Sequence, residues 1–151
     1  MERPGGDATQ AVTGFLRGAG LPCRTVAPGE WGLVVEDVGG APLEVGLRLS
    51  DGLLRAQAWV APPGTADPHV LLHRNRLAPL ARYAHSGAGD VHVHADIPAS
   101  ALDDALLDRL LVALVQAAEV ARSGLGGAPT TPARRRGPQA AWRRDWSRYL
   151  R

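Results

Sequence analysis

The chain has 151 residues and a mass of 15.9 kDa, with 45% apolar and 21% charged residues. That is one domain's worth of sequence, long enough to bury a core without a disulfide or a structural metal. All 17 basic residues are arginine, which excludes lysine nucleophiles, Schiff bases and the phosphate-loop lysine.

Asp7 opens a first predicted helix, with Gln10 as its capping-box partner. Val12, Phe15, Leu16 and Ala19 follow at helical spacing, and Gly20-Leu21-Pro22 ends it. Trp31 to Val38 then reads as a strand, turned at Gly39-Gly40-Ala41-Pro42. In the next run Leu43, Val45, Leu47 and Leu49 alternate with Glu44, Gly46 and Arg48, as in a half-buried strand. Ser50-Asp51-Gly52 makes a tight turn into Leu53 to Val60, completing a three-stranded antiparallel meander.

Pro62-Pro63-Gly64 breaks the pattern, and Asp67 before Pro68 marks a helix start running to about Leu77. Leu80 to His85 and Val91 to Ile97 flank the turn Ser86-Gly87-Ala88-Gly89, a second hairpin. Ser100 with Asp103 opens the longest helix, Ala101 to about Arg122. Its leucines cover more than one stripe, which predicts burial on two sides, by the sheet and by a partner subunit.

The composition changes after Ser123. Residues 124–137 read as a Gly/Pro/Arg-rich linker and 138–151 as a short amphipathic arm, beyond an α+β domain at 1–123. Trp142, Trp146 and Tyr149 share one side at i, i+4 and i+7. Arg134, Arg135, Arg136, Arg143, Arg144 and Arg148 accompany them, and these nine are the candidate partner-binding residues. Seven arginines against one aspartate give the last 28 residues +6, and ten arginines against fourteen acids give the body −4. The net +2 is a cancellation. Guanidinium with interleaved aromatics suits an acidic protein surface, or phosphates and bases of single-stranded nucleic acid. Docking on the acidic body, or on another protein, is the favoured expectation.

Catalytic and metal chemistry finds little support. Asp90, His92, His94 and Asp96 share a strand face at period two, but adjacent same-face side chains diverge, and the expected reading is a solvated surface. Ser50, Ser86 and Ser100 occupy turn and cap contexts. No nucleophile elbow, phosphate loop or dinucleotide fingerprint occurs. Trp31 and Trp59 read as core or sheet aromatics, and Cys23 as an unremarkable thiol. No catalytic residue, cofactor or metal is expected. The N-terminal residues lack an apolar leader, and charges interrupt Ala105 to Ala121, so the expectation is a cytoplasmic protein with no membrane partner.

Leu71 to Ala84 resembles the YbjN-like family, in which a helix ends in Asn and basic residues, followed by Pro and an aromatic strand. Gly89 to Pro98 resembles that family's second hairpin, and the leucine-rich helix follows in the same order. The likeness covers residues 8 to 122. The family is similar in fold to the small dimeric chaperones of type III secretion. The resemblance implies an antiparallel sheet packed by helices in the order α-β-β-β-α-β-β-α, and a homodimeric, non-enzymatic module that binds a client protein.

Overall fold

The computed structural model describes residues 4–123, so the linker, the arm and all nine candidate binding residues lie outside the described part. The elements are α1 (Pro4–Gly18), β1 (Cys23–Ala27), β2 (Glu30–Val38), β3 (Ala41–Ser50), β4 (Leu53–Ala61), α2 (Pro68–Asn75), β5 (Arg82–His85), β6 (Val91–Pro98) and α3 (Asp104–Ser123). A turn of 3-10 helix at Ala99–Ala101 precedes α3. The strands form one six-stranded antiparallel sheet in the order β1-β2-β3-β4-β6-β5.

The alternation predicted for the meander decides which face is buried. Val45 pairs with Ala58 and Ala58 with Val93, so apolar side chains line up across three strands on one face. Val45, Leu54, Ala58 and Val93 are almost wholly inaccessible, as are Leu107, Leu110 and Leu114 of α3, which packs over them. The opposite face carries cross-strand ion pairs, Arg48 with Glu30 at 3.5 Å and Arg55 with Asp96 at 3.4 Å.

Several element boundaries differ from expectation. The first helix begins three residues early, at Pro4, and Asp7 sits inside its first turn, where its charge suits the helix dipole. Asp103, not Ser100, caps α3: its carboxylate accepts the Leu106 N–H at 2.7 Å, while Ser100 lies in the 3-10 turn. The Asp67 cap is as read, accepting the His69 N–H at 2.8 Å, but α2 stops at Asn75, short of Leu77. The sheet also has a sixth strand, β1, where five were expected. Its turn into β2 uses Gly29 at φ +72°, a left-handed position that the Pro28-Gly29 pair announces.

The second apolar flank of α3 meets α1 of the same chain. Val12 and Leu16 of α1 are buried with the core. At its other end α3 is fixed by Arg122, which donates to the carbonyls of Val60 (2.9 Å), Val38 (2.7 Å), Ala41 (3.0 Å) and Pro42 (3.3 Å). The β2–β3 turn fits closely beneath: a Cβ on Gly39, at φ +61°, would lie 2.9 Å from Arg122 Cβ.

Tyr83 ties the far side of the sheet to α3. Its hydroxyl donates to the Ala117 carbonyl at 2.6 Å. Burial raises the phenol above its usual range, and the nearby Arg74 charge opposes this more weakly. The unfolded chain therefore ionises first, and stability falls as pH rises through the ordinary tyrosine value near 10. Tyr83→Phe should lower stability by about 1 kcal/mol at neutral pH. In urea melts across pH 9 to 11, that deficit should shrink as the wild type loses its advantage.

Candidate partner-binding site

The histidine strand resolves into structural roles. His92 is only 3% exposed and shares a 3.2 Å hydrogen bond with Gln57, so the solvated reading fails there. Trp59 and Ala84 flank it in register, while His94, flanked by Gln57 and Arg82, stays exposed. Asp90 accepts from Trp59 Nε1 at 3.0 Å, and Asp96 pairs with Arg55. Among the described residues no group of three or more His, Cys, Asp or Glu is placed to hold a metal ion. Trp31 is buried in the core, and Cys23 is exposed on β1.

An apolar opening lies between two of the helices. A groove of about 870 Å³ runs between α1 and α3, floored by Leu21 and Val35 and walled by Phe15, Leu111, Val112 and Val115. Gly14, Gly18 and Ala19 keep the α1 wall low, and Asp104 and Asp108 stand at the far end. Val112 is 46% exposed although its neighbours Leu111 and Ala113 are buried. This surplus of apolar surface on α3 is what the sequence assigned to a subunit contact.

Beside the groove lies a sheet edge. Leu21, in the groove floor, leads directly into β1, and among the described residues no strand pairs with the outer side of β1. The Pro22 carbonyl accepts the Val34 N–H at 3.1 Å. Antiparallel alternation then turns the backbone groups of Arg24 toward β2 and those of Cys23 and Thr25 outward. The sheet's other edge is closed. Asn75 at the end of α2 accepts the Tyr83 N–H at 2.7 Å and donates to the Tyr83 carbonyl at 3.1 Å, standing in for a neighbouring strand.

A second apolar surface sits on and after α2, where Leu72 is 65% and Leu77 73% exposed, with Val70 beside them at 37%. The sequence reading placed the subunit contact on α3 and gave α2 no such role. The signal was present, since a helix of eight residues has few positions to bury and α2 buries only Leu71. Among the described residues no helix is long and apolar enough to cross a membrane.

No family model matches the chain, and no curated protein matches it. Solved structures do. A chain of the HopA1–SchA chaperone–effector complex superposes with a TM-score of 0.65 at 15% identity, covering 81% of this chain and 98% of that one. The Yersinia pestis type III secretion chaperone SycH, solved in complex with a stable fragment of YscM2, gives 0.59 at 17% identity, covering 74% and 96%. The heterodimeric ExoU–SpcU complex from the type III secretion system of Pseudomonas aeruginosa gives 0.56 at 21% identity, covering 78% and 98%. The six-stranded antiparallel sheet with its three helices is thus the α+β fold of the type III secretion chaperones.

Proposed function

We propose that the protein is a non-enzymatic, chaperone-like adaptor that binds a client protein in the α1–α3 groove and along the free edge of β1. The observation that carries this reading is the juxtaposition of an open apolar groove with an unpaired strand edge. An extended client segment adds main-chain hydrogen bonds to the edge, and its apolar side chains fill the groove. The secretion-chaperone fold supports it, because the similar structures include a chaperone–effector complex and a type III secretion chaperone in complex with a fragment of YscM2.

Val112→Asp tests the groove. The side chain is half exposed, so the fold tolerates the change, but a carboxylate in the groove must be desolvated against apolar client atoms. A client that co-purifies from native lysate with the wild type should be at least 10-fold depleted with the variant. Equal recovery removes the groove from the function.

Two copies pair through α2 in the same reading. A symmetric contact buries Leu72 and Leu77 of each copy, apolar side chains that a monomer leaves in water. Light scattering at micromolar concentration should give a dimer for the wild type and a monomer for Leu72→Glu with Leu77→Glu, at unchanged melting temperature. A monomeric wild type rules the pairing out.

A further inference from the structure

We propose that residues 138–151 of this chain occupy the α1–α3 groove as an internal ligand that a client must displace. The proposal rests on reading the groove as the client site, and it adds a regulatory element to that site.

Reach, size, chemistry and charge each support it. Helix α3 ends at Ser123, and Gln116, at the near end of the groove, lies seven residues back, about 10 Å along the axis. Fourteen residues, 124–137, would span roughly 20 Å if unstructured, ample for the return. The α3 wall from Asp104 to Gln116 is about 18 Å long, and fourteen residues as a helix extend about 21 Å. Trp142, Trp146 and Tyr149, on one side of such a helix, supply the apolar surface that Phe15, Leu111, Val112 and Val115 lack. Asp104 and Asp108, one turn apart at the groove's end, make no ion pair among the described residues. Arg143, Arg144 and Arg148 give the segment the opposite charge. The body's −4 and the tail's +6 express the same complementarity on a larger scale.

Tethering makes even a weak contact effective. A linker of this length holds the segment at roughly millimolar effective concentration, so an intrinsic affinity near 0.1 mM keeps the groove about 90% occupied. Competitors then bind about 10-fold more weakly than to an empty groove.

The test uses a fluorescent peptide with the sequence of residues 138–151 as probe, titrated into the full chain. With Trp142→Ala, Trp146→Ala and Tyr149→Ala together, the groove is vacated and the peptide should bind about 10-fold more tightly than to the wild type. Adding Val112→Asp to that variant should reverse the gain. Val112 is half exposed, and circular dichroism checks that the fold is unchanged in each variant. Peptide binding that is equal in both chains, undetectable in both, or indifferent to Val112→Asp overturns the proposal. So does retention of the full chain on single-stranded DNA at low salt without any gain on triple substitution, which assigns the arm to nucleic acid. A failure here leaves the client result with Val112→Asp standing, because that experiment reads the groove without reference to the arm.

Discussion

Arg122→Ala should lower the stability of the folded domain by about 3 kcal/mol, a drop in melting temperature on the order of 10–15 °C. The guanidinium reaches four carbonyls on three strands, at the only place where the end of α3 is anchored to the β2–β3 turn by side-chain hydrogen bonds among the described residues. Val38 and Ala41 are the last residues of β2 and the first of β3, so the loss takes a charged donor away from the turn carbonyls in a part-buried site. Arg122→Lys should recover less than half. An ammonium keeps the charge, but a point donor on a flexible stem cannot fork toward Val60, Val38 and Pro42 at once. Arg109→Ala on the exposed side of the same helix is the control, expected within about 0.5 kcal/mol of wild type. Chemical denaturation of the three variants checks this, and equal midpoints for Arg122→Ala and Arg109→Ala refute the anchoring role.

The same residue shows where sequence reading runs out. Strands β3, β4 and β6 were legible because one face is fully buried and the other only partly, and a period of two records that difference. β1 has no such contrast: its five residues are exposed or half-exposed on both faces, so only the Pro28-Gly29 turn betrayed it. Arg122 was legible as the basic end of a helix, but its partners lie 62 to 84 residues away and are carbonyls, which every residue carries. Asn75 poses the same difficulty at closer range, since its partner is the Tyr83 backbone. His92 and His94 read alike along the strand, and only the neighbouring strands separate a buried histidine from an exposed one.

The candidate site was legible as a surplus and not as a place. The leucine-rich pattern of α3 declared more apolar surface than one sheet can cover, which is correct. Whether another helix, a second copy or a client covers the rest depends on where α1 lands, and hydrophobic periodicity carries no such information. The charge division between body and tail was read from residue counts alone, and it gains a location only once Asp104 and Asp108 are seen at the end of an apolar groove.

Blocking the β1 edge should sharply weaken client binding while leaving the fold intact. Thr25→Pro removes an N–H that faces outward and places a ring where an added strand must lie. Nothing within the sheet is lost, because β2 bonds the intervening residues, so the melting temperature should stay within a few degrees. The client should lose one or two main-chain hydrogen bonds and the close approach that the neighbouring ones need, about 2–3 kcal/mol, or a roughly 30- to 150-fold weaker dissociation constant. Thr25→Ser, which keeps the donor, should bind as wild type. If Thr25→Pro retains the client and Val112→Asp loses it, the groove works alone and the edge has no part. The reason to expect otherwise lies in how the two edges differ. An unpaired strand edge invites adventitious pairing, and folded proteins ordinarily blunt it. Here α2 spends Asn75 on closing β5, while β1 offers Cys23 and Thr25 to solvent beside an apolar groove. Among the described residues one edge is closed by a dedicated side chain and the other is open, which is the asymmetry that an added client strand uses in the proposed function.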